Sequence, residues 1–283
     1  MRITIRDIKA MKRRGQKIPM VTAYDHTTAV IVERTDVPII LVGDSLGNVM
    51  LGHDTTLPVT MDEMIHHVKA VVRGTEKAHV VADLPFMSYQ VDETEALRNA
   101  GRMLKEGGAH SVKLEGGRRV AETVSGIVDA GIPVMGHIGL TPQSVNQLSG
   151  YRVQGKTTKS ATMLMDDAAA LEAAGTYAIV LELVAAPVAR LITQQVSVPT
   201  IGIGAGIHCD GQVQVLHDML GMLDVRRKHA RRYAEIGEDM AKAISYYVDD
   251  VRLGHFPSDL ESFQSEEGVF EEFAPDAFGS EIV

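Results

Sequence analysis

The chain has 283 residues, of which 45% are hydrophobic, and a formal net charge of −9 at pH 7. The length suits one barrel of about 250 residues or two smaller domains, and the acidic balance argues against nucleic acid as a partner. The single cysteine, Cys209, allows no intrachain disulfide and is expected to pack rather than react. Without a secretion signal or an apolar run of about 18 residues, we expect a cytoplasmic protein with no membrane span.

The first half of the chain alternates helical patterns with short apolar runs. Apolar residues at helical spacing predict an amphipathic helix over 4–14, which can close the bottom of a barrel. Strands are predicted at 19–25, 39–45, 79–86 and 111–117, and helices at about 26–35, 61–73 and 93–106. Residues 46–60 are predicted to form a long loop of the kind that carries function at a strand's carboxyl end.

The second half continues the alternation. Helices are predicted at about 118–130, 161–174, 187–195, 209–216 and 228–253, and strands at 132–139, 177–184, 199–206 and near 218–223. Residues 141–160 are polar and predict an active-site loop or lid. Eight strands alternating with helices predict an α/β fold, a (β/α)8 TIM barrel, with residues 1–254 as its single domain. Residues 255–283 form a predicted acidic tail.

Charged side chains stand near the carboxyl ends of four predicted strands: Asp44, Asp83, Lys113 with Glu115, and Glu182. Because an unpaired buried carboxylate is costly and parallel strands end at one rim, these groups are expected to converge around a compensating charge. A hard divalent cation such as Mg²⁺ is the simplest one. The alternative is a set of helix-capping or salt-bridged acids beyond the strand ends.

Two of these residues have competing interpretations. Lys113 is a Schiff-base nucleophile, a cation for a substrate carboxylate, or the ion-pair partner of Glu115. Neighbouring carboxylates are expected to keep the pKa of Lys113 high, which favours electrostatic binding over Schiff-base chemistry. Glu182, on an apolar strand, is either a general base with a raised pKa or a supporting acid bonded to His137 or Lys113.

Six separated motifs carry a family resemblance. They are Val-Gly-Asp-Ser-Leu-Gly at 42–47, Gly-His-Asp-Thr-Thr-Leu-Pro-Val-Thr at 52–60, Ala-Asp-Leu-Pro-Phe at 82–86, Val-Lys-Leu-Glu-Gly-Gly at 112–117, Gly-His-Ile-Gly-Leu-Thr-Pro-Gln-Ser at 136–144 and Gly-Ile-Gly-Ala-Gly at 202–206. In this order, and over about residues 3–253, the chain closely resembles the ketopantoate hydroxymethyltransferase family.

The resemblance implies a barrel enzyme that transfers a hydroxymethyl group from 5,10-methylenetetrahydrofolate to the α-keto acid 3-methyl-2-oxobutanoate. The product, 2-dehydropantoate, lies on the route to pantothenate and coenzyme A. The resemblance further implies one Mg²⁺ per subunit and a homo-oligomer, commonly a decamer. It implies Asp44 and Asp83 as direct metal ligands with Glu115 completing the site, keto-acid contacts from Asp44, Ser45, Asp83 and Lys113, and Glu182 as the catalytic proton acceptor.

Two segments depart from the family pattern, and two other functions compete with the implied one. Residues 226–233 lack the proline and the aromatic residue expected there, and the acidic tail after Gly254 looks like an addition. A Mg²⁺-dependent carbon–carbon lyase or mutase of the phosphoenolpyruvate mutase and isocitrate lyase kind is one alternative. Such enzymes tend to place a reactive cysteine in a loop, a context that Cys209 lacks. A keto-acid binding protein is the non-enzymatic alternative.

Overall fold

Eight apolar runs form a closed parallel barrel in the computed structural model, which describes residues 1–265. The strands are β1 Ile18–Thr22, β2 Ile39–Val42, β3 His79–Asp83, β4 Ser111–Glu115, β5 Val134–Gly139, β6 Ala178–Glu182, β7 Thr200–Ile203 and β8 Gly211–Gln214. Each strand pairs with the next, and β8 pairs with β1, so the sheet has no free edge. The predicted (β/α)8 barrel is confirmed.

Eleven α-helices lie within the described residues. They are α1 Ile5–Arg13, α2 His26–Glu33, α3 Leu46–Val49, α4 Met61–Arg73, α5 Glu93–Lys105, α6 Ala121–Asp129, α7 Val145–Leu148, α8 Thr158–Ala173, α9 Ala186–Gln195, α10 Leu216–Leu220 and α11 Ile236–Leu253. The predicted starts of α4 and α5 are confirmed. Thr60 and Glu63 form a capping box, and the Asp92 side chain accepts a hydrogen bond from the Glu95 backbone N–H.

The prediction was wrong for the last barrel unit. Residues 211–214 form β8 rather than a helix, and α10 occupies the segment expected to be the eighth strand. Polar and apolar residues alternate along residues 211–214, so that Val213 is buried while Gln212 is exposed. That period of two is the strand pattern, and β7 connects to β8 through turns over 204–210 without a helix.

Two predicted loops and the starts of two predicted helices also differ from the structure. Segment 46–60 contains α3, and segment 141–160 contains a 3₁₀ turn, α7 and the start of α8 instead of one extended lid. Helix α8 begins early because Thr157 and Ser160 form a capping box. Helix α11 begins at Ile236 rather than at 228.

Apolar side chains that alternate along the strands fill the barrel interior. Ile39, Val81, Val180 and Val213 belong to one buried cluster, and Ile8 of α1 packs into the same cluster. Helix α1 therefore closes the amino-terminal end of the barrel, as predicted. The charged strand ends are left at the opposite, carboxyl-terminal rim.

The described chain forms two compact units, Met1–Ala234, which contains the barrel, and a second that begins at Glu235. Helix α11 of the second unit ends at Gly254, whose φ of 72° is a left-handed conformation that glycine adopts readily. The predicted domain boundary at residue 254 stays a prediction, and residues 266–283 of the predicted tail lie outside the described residues. None of the helices in residues 1–265 has both the length and the apolar character needed to cross a membrane.

A buried polar chain links β3, β4 and the start of β6 inside the barrel. His79 Nε2 lies 2.9 Å from Ser111 Oγ, which lies 2.9 Å from the Tyr177 hydroxyl, and His79 Nδ1 lies 3.2 Å from the Ile3 carbonyl oxygen. Burial, helped by the neighbouring His110, lowers the pKa of His79 to about 4. The folded protein therefore holds His79 neutral at pH values where the unfolded chain protonates it.

We expect the free energy of unfolding to fall in acid partly because of His79. The stabilising effect is fully present above pH 6.5 and is lost as the pH falls toward 4, by on the order of 3 kcal/mol. In urea unfolding at pH 7 and pH 4.5, His79→Asn should show a smaller pH-dependent loss of stability than the parent chain. His66→Asn, at an exposed position of α4, is the control, and equal losses in parent and His79→Asn would contradict the expectation.

Candidate active site

The charged side chains predicted to converge do meet at the carboxyl-terminal rim of the barrel. Asp83 lies beside Lys113 in the β3–β4 register, and Glu115 lies beside His137 in the β4–β5 register. Glu182 ends β6. They line one cavity of about 140 Å³ together with Asp44 and Ser45, which follow β2.

Asp83 occupies the centre of the hydrogen-bonded cluster. One of its oxygens, Oδ1, lies 2.9 Å from Lys113 Nζ, while Oδ2 accepts a hydrogen bond from the Asp44 backbone N–H at 3.0 Å. Both the Asp83 and the Lys113 side chains are almost fully buried. Of the roles considered for Lys113, ion pairing with Glu115 is thus not the direct contact, because Asp83 takes that position.

Burial and neighbouring negative charge raise the pKa values of two carboxyl groups in the cavity. Burial, together with the charge of Asp83, raises the pKa of Asp44 to about 7. Burial and the charge of Asp44 also raise the pKa of Glu115 well above its usual range. Burial opposes the charged form of Lys113, but the surrounding carboxylates outweigh it and raise its pKa, as expected from the sequence. The cavity therefore holds more negative charge than its one buried lysine compensates.

His137 connects the cluster to Glu182. Burial and the charge of Lys113 lower the pKa of His137, so the ring is neutral at pH 7. His137 Nδ1 lies 3.4 Å from Lys113 Nζ and 3.5 Å from Glu115 Oε1, and the other ring nitrogen is Nε2. That nitrogen lies 3.3 Å from Glu182 Oε2 but is not aligned for a hydrogen bond. Glu182 thus lies beside a neutral ring that connects it to the buried cluster.

Gln143, in the 3₁₀ turn after β5, is a site residue that the sequence reasoning missed. Its side-chain amide donates to Asp44 Oδ2 at 2.9 Å and to the Leu84 carbonyl, while its backbone N–H donates to Glu115 Oε2 at 3.0 Å. The Tyr89 hydroxyl donates to the Gln143 side-chain oxygen. Gln143 therefore holds two carboxylates of the cluster in fixed positions. The motif at 136–144 contains this glutamine, but its uncharged side chain gave no electrostatic signal.

Ser45 lies at the cavity wall just beyond Asp44. Its Oγ is 2.8 Å from the Tyr24 hydroxyl. A Cβ on Gly43 would come within 2.8 Å of that Oγ and 3.3 Å of Asp83 Oδ2. A glycine is needed here because the β2 backbone passes so close to the cluster.

The donor set fits a hard divalent cation. Oδ1 of Asp83 is buried, with Lys113 Nζ as its ion-pair partner, and carboxylate oxygens are the ligands that Mg²⁺ prefers. No group of three or more His, Cys, Asp or Glu side chains within residues 1–265 is placed to hold an ion by itself. An ion here would therefore also take water or substrate oxygens, as Mg²⁺ usually does.

A second set of side chains, also missed from the sequence, includes the partly exposed Tyr151 and Arg227 and forms a part of the lining that we call the outer wall. It consists of Tyr151 from the segment after α7, Asp218 from α10, and Arg227 and His229 from the segment before α11. Arg227 Nε lies 3.3 Å from Asp218 Oδ2. This wall gives the cavity its only Arg among the described residues that line it.

The sequence matches one family along nearly all of its length. The family described as ketopantoate hydroxymethyltransferase matches residues 2–259. A 3-methyl-2-oxobutanoate hydroxymethyltransferase of Dehalococcoides mccartyi is 59% identical, with 96% of this chain and 97% of the relative covered. One of Carboxydothermus hydrogenoformans is 57% identical, with 93% and 95% covered.

Solved structures with little sequence identity share the fold. Phosphonopyruvate hydrolase in complex with oxalate and Mg²⁺ gives a TM-score of 0.59 at 11% identity, over 96% of this chain and 94% of that one. A 2,3-dimethylmalate lyase, a member of the PEP mutase/isocitrate lyase superfamily, gives a TM-score of 0.56 at 14% identity over 93% of both chains. These likenesses establish the (β/α)8 fold alone.

Proposed function

The chain belongs to the ketopantoate hydroxymethyltransferase family, and on that premise we propose that it transfers a hydroxymethyl group from 5,10-methylenetetrahydrofolate to 3-methyl-2-oxobutanoate with the help of Mg²⁺. The observation that carries the proposal is the set of acids around Lys113 in one cavity of about 140 Å³. A cavity of this size suits a small keto acid. The mixture of acids and one lysine suits the binding of a cation together with a carboxylate.

The overall reaction sets what the site must do. A C–H bond at C3 of the keto acid breaks, a C–C bond forms between C3 and the one-carbon unit, and the donor's bonds to that carbon break. Because the donor's methylene carries no oxygen, one water supplies the hydroxyl group, and tetrahydrofolate is released. The protein must therefore stabilise negative charge on the keto oxygen while a base removes the C3 proton.

Asp44 and Asp83 would hold Mg²⁺ directly, and Glu115 would complete the site. When bound, Mg²⁺ supplies Lewis-acid stabilisation of the charge that develops on the keto oxygen. The raised pKa of Asp44 supports this assignment, because burial and the nearby charge of Asp83 disfavour its charged form, which a bound cation would stabilise. Ser45 would add a hydroxyl contact to the keto acid.

Lys113 and Glu182 would act on the keto acid from different strands. Lys113, held in its charged form between carboxylates, would attract the substrate carboxylate or the developing enolate. Glu182 would accept the C3 proton, with neutral His137 3.3 Å from its carboxylate. Leu41, Val180 and Val213 line the inner cavity and offer an apolar surface to the branched alkyl group.

Product formation tests the proposal directly. The protein is incubated with 3-methyl-2-oxobutanoate, Mg²⁺ and 5,10-methylenetetrahydrofolate, and 2-dehydropantoate is measured by mass spectrometry. We expect product that depends on all three additions and disappears with a chelator. Folded, metal-saturated protein that gives no product would contradict the proposal.

Gln143 offers a test of how the metal ligands are positioned. Gln143→Ala removes the donor to Asp44 Oδ2, so we expect Mg²⁺ affinity to fall by about 10-fold to 100-fold, as for other groups that orient metal ligands. Isothermal titration calorimetry measures the affinity. Gln147→Ala, an exposed glutamine of α7, is the matched control. Equal affinities for both variants would show that Gln143 does not position the ligands.

The setting of the reaction belongs to the same proposal. Formation of 2-dehydropantoate would place the enzyme on the route to pantothenate and coenzyme A. A single buried cysteine suits a reducing, cytoplasmic compartment. The assembly is proposed to be a homo-oligomer, with a decamer as the family's common form, and a mass measurement in solution tests it.

A further inference from the structure

Arg227, at the outer wall of the cavity, has no role in the proposed chemistry and is well placed to bind an anion. We propose that Arg227 binds a carboxylate of the glutamyl tail of the one-carbon donor, an inference that rests on the proposed function. It assigns a recognition residue for the second substrate, whereas the acids and Lys113 act on the first. Arg227 is thus a specificity residue and takes no part in bond making.

The contacts of Arg227 leave most of its binding capacity free. Among the described residues, its one ion pair joins Nε to Asp218 Oδ2 at 3.3 Å, and the two terminal amino groups have no partner. The Arg227 side chain is 39% exposed, whereas that of Asp218 is 11% exposed. Asp218 therefore anchors the Nε side of the guanidinium, and the Arg227 side chain stays partly exposed where it lines the cavity. A guanidinium edge with free donors matches the two oxygens of a carboxylate.

The two cations that line the cavity would bind different substrates. Lys113 and Arg227 are the only Lys or Arg side chains among the described residues that line it. Lys113 is buried and bound to Asp83, so it serves an anion that reaches the inner cluster. Arg227 is half-exposed in the segment before α11, and it would bind an anion that stays outside the buried cluster.

The sizes of the substrates decide which anion that is. A small keto acid fits within about 140 Å³, so its carboxylate lies near Lys113. The one-carbon donor is far larger, since a pterin, an aminobenzoyl group and a glutamate are joined in a row. Only its methylene must meet C3 of the keto acid, and the glutamate carboxylates therefore remain at the cavity's outer wall, where Arg227 lies.

A second basic groove provides the competing location. Arg118 and Arg119 line a separate cavity of about 410 Å³ between the end of β4 and α8. Arg118 lies 3.6 Å from both Asp166 and Asp167, and Arg119 donates to the Ser144 hydroxyl. Two aspartates already balance the charge of Arg118, and the lining of this groove shares no residue with the cavity that holds Lys113 and Glu182. The geometry thus favours Arg227.

The test combines a variant with a truncated donor. Steady-state kinetics are measured for the parent chain and Arg227→Gln with 5,10-methylenetetrahydrofolate and with 5,10-methylenetetrahydropteroate, which lacks the glutamate. We expect Arg227→Gln to raise the KM for the folate donor about tenfold, the size of one charge-assisted hydrogen bond, with the keto-acid KM and kcat unchanged. With the pteroate donor, parent and variant should have equal KM values. Arg227→Lys should recover part of the loss, since it restores charge without the fork.

The controls separate this inference from a structural effect and from the proposed function. Arg226→Gln, an exposed neighbour, and Arg119→Gln, in the second groove, should both behave like the parent chain. The inference is overturned if Arg227→Gln weakens both donors equally, raises the keto-acid KM instead, or changes nothing, or if Arg119→Gln shows the donor-specific loss. A parent chain that makes no product with either donor overturns the proposed function itself.

Discussion

Asp83→Asn is expected to weaken Mg²⁺ binding by more than about 100-fold, because it removes the charge of a proposed direct ligand. The amide is nearly isosteric with the carboxylate, and its oxygen can still accept the hydrogen bond from the Asp44 backbone N–H. The fold should therefore survive while the charge that compensates Lys113 and the cation is lost. Calorimetric titration with Mg²⁺, and product formation at saturating keto acid, measure the two effects.

The matched control for Asp83→Asn is Asp129→Asn, an exposed aspartate in α6. Circular dichroism and thermal unfolding establish that both variants are folded. Unchanged Mg²⁺ affinity in folded Asp83→Asn would remove this carboxylate from the metal site and leave it as the ion-pair partner of Lys113.

Glu182→Gln is expected to slow proton removal from the keto acid by about 10² to 10⁴-fold, the range typical of a lost general base. Exchange of the C3 hydrogen of 3-methyl-2-oxobutanoate in D₂O, followed by NMR in the presence of Mg²⁺ and without any folate, isolates this step. Because Glu182 stands on β6 and not in the proposed ligand set, the Mg²⁺ affinity of the variant should stay within about threefold of the parent.

The exchange rate and the Mg²⁺ affinity together separate the two interpretations of Glu182. If Glu182 is the base, the variant exchanges slowly but binds Mg²⁺ normally. If Glu182 only supports the metal ligands, the variant loses both exchange and Mg²⁺ affinity. Glu122→Gln, on the exposed face of α6, controls for the change of charge. Exchange at the parental rate in Glu182→Gln would show that another group takes the proton.

The strands and the charged cluster were predictable from sequence because they rest on local signals. A buried parallel strand is a short apolar run, and a charge at its end stands out against that run, as at Asp83 and Glu182. Parallel strands of a barrel end at one rim, so placing the charges together required no knowledge of the loops. The prediction that Lys113 stays charged followed from the same convergence.

Residues that lie in connecting segments were not predictable in this way. Gln143 is uncharged and sits in a turn after β5, and its contact with Asp44 spans 99 positions of the chain. Arg227 lies in a basic segment whose composition indicates only a solvated face. Its place beside Asp218 depends on the path of the chain between α10 and α11. Such contacts are set by tertiary structure, which local patterns do not encode.

The last barrel unit shows why the secondary structure of a short segment is hard to predict from its sequence. Residues 211–214 have only four positions in which to display their alternation, and the neighbouring α10 has five. Over so few residues the strand and helix periods are nearly indistinguishable. Barrel closure decides the outcome, because β8 must pair with both β7 and β1.

We propose that acids from separate strands hold one cation against the keto acid. A crystal structure with Mn²⁺ in place of Mg²⁺ and with bound 3-methyl-2-oxobutanoate would show this arrangement, since anomalous scattering locates the ion. We expect one peak at coordination distance from Asp44, Asp83 and the two substrate oxygens, with Glu115 close by. A peak elsewhere on the protein, or a keto acid bound in this cavity with no ion beside these carboxylates, would contradict the claim.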